Sequence, residues 1–202
     1  MRIAPAMLAM FASVFIAGFA APVQPVAAQA GAQQCTDWNS TNQPPETIAV
    51  YRVSEGFVER VDFKSYVARV VSREWNVPQV ELRKAGAVAV KQYAWYHVLH
   101  WRGGTYNGNC FDVRDTTADQ LYSGKPINEI PNTVWSAVNA TWTWRLQRGD
   151  KFPMTGYRLG EAVPCASDGG YRLYVRSGKR CAEKGWSAGR ILRVYYTATL
   201  EK

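Results

Sequence analysis

Between residues 47 and 100 the hydrophobic pattern changes period. Thr47 to Val53 (Thr-Ile-Ala-Val-Tyr-Arg-Val) alternates and is rich in β-branched residues, as a half-buried strand requires. Gly56 to Val61 alternates less cleanly, with Phe57 and Val61 as its apolar members, and is expected to pair with it. From Phe63 the period becomes helical: Phe63, Tyr66, Val67, Val70, Val71 and Trp75 recur at three- and four-residue spacing. Asp62 stands in front as an N-cap, and Asn76 and Pro78 end the run. A second helix is expected from about Gln79 to His100. Its small-residue centre, Ala85 to Ala89, permits close packing, and Gly103-Gly104 is expected to terminate it.

Beyond these helices the pattern weakens. Thr105 to Cys110 is polar and glycine-rich, and Phe111 to Thr117 reads as a short strand and turn. Val134 to Leu146 and Lys151 to Tyr157 read as strand or short-helix pieces that periodicity does not separate. A last helix is expected around Ala188 to Tyr195. With no internal repeat and no low-complexity linker, the expectation is α+β: a single compact domain with a mixed sheet and a few packed helices.

The first thirty residues have another character. Arg2 precedes an uncharged, mostly apolar run from Ile3 to Ala21, followed by small residues up to Ala30. This is the layout of a secretory signal, with cleavage expected after Ala28 or Ala30. An uncleaved anchor fits less well, because Pro5, Pro22 and Pro25 interrupt or bound a run that should reach about 20 apolar residues. The expected organisation is a signal peptide over 1–30, an extended lead-in over 31–46 and one domain over 47–202. No later stretch is long and apolar enough to span a membrane.

The formal charge is +8, which loss of Arg2 with the leader lowers by one. A basic exported protein suits an anionic surface such as a bacterial wall. Nucleic acid is not expected as a partner, because the basic residues are scattered and no nucleic-acid motif is present. All four cysteines, Cys35, Cys110, Cys165 and Cys181, follow the leader. An even count in an oxidising compartment reads as two disulfides with three alternative pairings. Cys35 with Cys110 and Cys165 with Cys181 is the favoured one, since each bond would pin a loop-rich region to a neighbour. The cysteines lack zinc-ligand spacing, so no metal and no cofactor are expected.

Glu74 is the residue singled out by pattern. It lies seven and four positions beyond Val67 and Val70, within the apolar stripe of the first helix. A carboxyl there is partly desolvated, which raises its pKa and suits a general acid; a helix-end Glu paired outward with Arg73 is the plain alternative. Lys84 and Lys91 share a helix face, which by itself reads as solvated, with Tyr93, Tyr96 and His97 near in sequence. His97 and His100 form at most a partial ligand pair. Asp112, Asp115 and Asp119 offer a second carboxylate, although acidic turn residues more often bond their own backbone. Esterase, nucleotidase and zincin motifs are absent.

Several segments, in order, resemble the sporulation stage II protein D / amidase-enhancer family. Ile48 to Val53 is similar to its opening strand, and Val61 to Trp75 to its Asp-Tyr-Val-x-x-Val-Val-x-x-Glu helix. Glu81 to Tyr96 resembles the following Ala-rich helix with Lys84 and Lys91 at its basic positions. Phe111 to Tyr122 resembles the Asp-Val-x-Asp-Thr-Thr-x-x-Gln-x-Tyr segment, and Ala137 to Trp142 and Gly185 to Tyr196 resemble the later half. The resemblance implies a lytic transglycosylase acting on peptidoglycan glycan strands with Glu74 as its single acid/base. It also implies Lys84, Lys91, Tyr93, Asp115 and Gln120 as substrate-binding positions. The amidase-enhancer branch implies an alternative, a wall-binding module that assists another wall hydrolase without cutting glycan itself.

Three departures from the family pattern stand out. Some members hold zinc within the Asp-Val-x-Asp segment, where this chain has Arg114, Ala118 and Asp119. Arg158 to Ser167, carrying Cys165, replaces a Ser-Gly-Gly stretch. Arg176 to Ala182, carrying Cys181, replaces a Ser-Gln-x-Gly-Ala block.

Overall fold

The computed structural model describes residues 35–167 and 169–202; the signal-peptide assignment to 1–30 lies outside the described residues. Strand β1 (Thr47–Arg52) pairs antiparallel with β2 (Phe57–Asp62) along its full length. Alternation divides β1 between two surfaces. Ile48 and Val50 enter the main core, while Ala49 packs in a smaller cluster with Cys35 and Phe111. Asp62 Oδ1 accepts from Ser65 N at 2.7 Å and so caps helix α1 (Phe63–Glu74), as its position foretells. Phe63, Tyr66, Val67, Val70 and Val71 are fully buried.

Helix α2 (Val80–Leu99) is buried on nearly every side, because α1 and three later helices pack around it. Close approach has a visible cause at Gly86. A Cβ there would lie 2.2 Å from Trp75 Cδ2, so only glycine lets the indole lie against the helix. The helix stops at Leu99, before the Gly103-Gly104 pair expected to end it. That pair serves the following turn instead: Gly103 has φ +74°, and Gly104 lies under the Phe111 ring.

The chain continues through a two-strand ribbon, β3 (Thr105–Tyr106) with β4 (Asn109–Cys110), to β5 (Val113–Arg114). β5 joins the other edge of β1 in parallel, giving a mixed sheet of order β2-β1-β5. After a 3-10 turn at Ile127–Glu129 comes helix α3 (Asn132–Ala140). The stretches that periodicity leaves undecided thus contain α3, β6 (Arg145–Gln147) and the start of β7 (Gly156–Arg158). β7 pairs in parallel with β8 (Arg172–Tyr174), and β6 pairs antiparallel with the last strand, β9 (Thr199–Glu201).

Between β8 and β9 lie α4 (Val175–Glu183) and α5 (Ala188–Tyr196), the second of them expected from sequence. Ser187 caps α5 through Arg190 N. Arg176 to Ala182 is thus helical, with Cys181 buried and bonded to Cys165, while Cys35 bonds Cys110. The favoured pairing is the one found. The described residues form one compact α+β unit, and their lead-in is tied down: Trp95 Nε1 donates to Ser40 O at 2.9 Å, and Arg60 donates to Cys35 O at 3.0 Å.

Candidate active site around Glu74

Glu74 closes α1, and its carboxyl is turned inward rather than paired outward. Oε1 accepts from the backbone N–H of Leu121 at 2.7 Å, and Oε2 accepts from the Tyr157 hydroxyl. Tyr157 stands on β7 with its ring edge-on to Trp75, centroids 5.2 Å apart. The tight Trp75–Gly86 packing therefore locates both the acid and its phenolic partner.

The direction of these bonds is set by a single carbonyl. Val90 O can only accept, so the Gln120 amide must present Nε2 to it, at 3.2 Å. The same Nε2 donates to Tyr157 Oη at 3.0 Å, and Gln120 Oε1 accepts from Tyr66 Oη at 2.9 Å. With its lone pair taken by Gln120, the Tyr157 hydroxyl keeps its proton for Glu74. Desolvation raises the Glu74 pKa above its ordinary value, while Tyr157, Leu121 N–H and the Arg73 charge oppose that rise by favouring the carboxylate. Burial and the Glu74 charge together push the Tyr157 phenol well up, so it remains a donor.

A groove of about 460 Å3 opens beside this constellation, lined among others by Arg52, Arg73, Asp115, Leu121 and Tyr122. A second hollow of about 220 Å3 shares Arg73 and Ser123 with it and continues towards Asn76, Lys125 and Glu129. Leu121, whose N–H holds Glu74, and Arg73, its neighbour in the chain, both stand in the groove wall.

The other residues singled out from sequence take distinct places. Gln120 is fully buried and reaches Glu74 through Tyr157. Asp115 lines the groove, accepting from Arg52 Nε at 3.1 Å and Val53 N at 2.9 Å. Tyr93 donates to Asp119 rather than to the carboxyl. Lys84 pairs with Glu81 at 2.7 Å, and Glu81 in turn accepts from Ala188 N at the start of α5. Lys91 is not on a solvated face: it is 2% exposed, and its ammonium donates to the carbonyls of Thr141, Trp142 and Trp144 beyond the end of α3. Burial pulls its pKa down to about 7, while those carbonyls and the Trp142 ring favour the charge. Neither lysine is joined to Glu74. Tyr157 and Leu121 N–H are not legible in the sequence. Tyr157 is 83 residues away along the chain, and a backbone donor leaves no mark on residue identity.

The segment where the resemblance allows for zinc is filled differently here. Asp119 is clamped between Arg102 (2.6 Å) and Arg114 (3.7 Å), so a divalent cation would meet two guanidinium charges. These residues do not fit a metal. Both ring nitrogens of buried His97 lack hydrogen-bond partners, and burial with the Arg102 charge lowers its pKa to about 4. His100 stacks on Tyr96 and bonds its carbonyl, so the two histidines do not form a ligand pair. Among the described residues no group of three or more His, Cys, Asp or Glu could hold a metal ion.

Fold and site together describe an α+β domain that holds the Glu74 carboxyl in a sheltered place beside an open groove. Residues 51–146 match the family model of SpoIID, the Stage II sporulation protein, and this segment belongs to that family. The match runs from the end of β1 into β6 and includes Glu74 and the Asp112–Tyr122 segment; Tyr157 lies beyond it. No curated protein matches the chain.

Proposed function

We propose that the protein is an exported lytic transglycosylase that cleaves peptidoglycan glycan strands with Glu74 as acid and then base. The observation that carries this reading is the Glu74 carboxyl itself, desolvated, oriented by two donors and set behind a groove whose wall includes Arg73 and Leu121. Protonated Glu74 gives its proton to the oxygen bridging N-acetylmuramic acid and N-acetylglucosamine as that bond breaks. The resulting carboxylate, steadied by Leu121 N–H and Tyr157 O–H, removes the proton of the muramic C6 hydroxyl. That oxygen closes on C1 as a 1,6-anhydro ring, and Glu74 ends protonated as it began. Since no water attacks, a second carboxylate at hydrolase spacing is not needed. Two disulfides suit an oxidising compartment, and among the described residues no helix is long and apolar enough to cross a membrane.

One observation favours a second reading, a wall-binding module that assists an amidase. Each Glu74 oxygen already accepts one bond within the protein, as a structural carboxylate also would. Incubating the wild type and Glu74→Gln with intact and with peptide-stripped peptidoglycan separates the two. Soluble fragments from the wild type alone support the enzyme. Equal pelleting of both proteins with the wall, without fragments, would assign the chain to binding.

A further inference from the structure

Asp119 invites reading as a second catalytic carboxylate, yet its surroundings leave it no such freedom. Its side chain is 0% exposed. Oδ1 accepts from Arg102 Nη2 at 2.6 Å and from Tyr93 Oη at 3.3 Å, and Oδ2 accepts from Arg114 N at 2.8 Å. The Asp119 N–H donates to Thr116 O at 3.0 Å, closing the turn on itself. Arg102 also reaches Asp112 O at 3.3 Å, and Tyr93 belongs to α2. A single carboxylate thus ties the 112–119 loop to α2 and to the segment after α2.

The two residues after Asp119 in the chain give this clamp its meaning. The first is Gln120, whose amide directs the Tyr157 proton at Glu74 Oε2. The second is Leu121, whose N–H meets Glu74 Oε1. Three consecutive residues therefore carry an anchor, an orienting amide and a donor. We propose that Asp119, held by Arg102 and Arg114, is the positioning residue that sets both donors on the Glu74 carboxylate, an ion-pair clamp in place of a metal. The idea deepens the reading of Glu74 as the acid, but its geometry does not depend on the substrate.

The test reads Glu74 directly rather than through activity. Glutamate carboxyl carbons are labelled with 13C, the Glu74 signal is assigned by its loss in Glu74→Gln, and its titration is followed by NMR. Arg73, Tyr157, Tyr66, Tyr93 and Leu121 N–H surround that carboxyl; Arg102, Arg114, Tyr93, Tyr66 and His97 surround Asp119. Asp119→Asn should make Glu74 about tenfold weaker as an acid, a rise of about one pKa unit, because the carboxylate loses well-placed donors. Arg102→Met, at a side chain 41% exposed, should shift it in the same direction by less, and Arg102→Lys should restore most of the wild-type value. An unchanged Glu74 titration in folded Arg102→Met and Asp119→Asn overturns the proposal; if Asp119→Asn does not fold, Arg102→Met decides alone. Should the wild type cut no glycan while the titration still moves, the clamp stands and only the transglycosylase reading falls.

Discussion

At the scale of single residues, the site is a problem in how to keep one carboxyl protonated without leaving it unsupported once ionised. Burial raises the Glu74 pKa, and two donors limit the rise. The consequence for stability has a definite sign. A carboxyl raised above its unfolded value stabilises the fold below that value and loses the contribution as pH rises through the folded pKa. Glu74→Gln, which cannot ionise, should therefore gain stability relative to the wild type in urea melts at pH 8 compared with pH 4. Tyr157→Phe removes the donor to Oε2 and strands one Gln120 hydrogen. It should cost about 1–2 kcal/mol and move the alkaline limb of the pH–activity profile upward. An unmoved limb would show that Tyr157 does not touch the working acid.

Among elements, legibility tracks the strength of the local signal. α1 is readable because Asp62, the three-four spacing and Pro78 all point to the same boundaries, and its stripe isolates Glu74. α2 is readable in extent but not in orientation. A helix buried on nearly every side has no solvated face, so Lys91 reads as a surface cation and instead satisfies carbonyls beyond α3. α4 is not readable, because Arg176, Lys179 and Arg180 hide a narrow buried stripe of Val175, Gly178 and Cys181. Tyr157 is hidden for a different reason, since no local pattern announces a contact between β7 and the end of α1. The α1–α2 contact should be the most sensitive to added volume. Gly86→Ala drives a methyl into the Trp75 indole and should destabilise by about 1–3 kcal/mol. It should also lower activity, through displacement of Trp75 and with it Tyr157; thermal melts alongside activity assays would check both.

For the whole molecule, one disulfide is anchored in the main core through Cys181 and the other in the smaller cluster around Cys35. Cys35–Cys110 joins the lead-in to the ribbon across a sequence separation of 75, and Cys165–Cys181 joins the loop before β8 to α4 across 16. In a chain-entropy account the longer closure constrains the unfolded state more, about 4 kcal/mol against about 3 kcal/mol. Replacing each pair by serines should therefore lower the urea midpoint in both cases, and more for the Cys35–Cys110 pair. The groove residues Arg52, Arg73 and Asp115 come from β1, α1 and the loop after β5, so the groove depends on the sheet and α1 together.

Digestion of peptide-stripped glycan in water enriched in 18O, with mass spectrometry of the new muramic ends, reads directly whether Glu74 drives anhydro-ring closure. The expected result is 1,6-anhydro ends without 18O from the wild type, reduced about a hundredfold or more in Glu74→Gln. New reducing ends carrying 18O, or anhydro ends produced equally by Glu74→Gln, would contradict it.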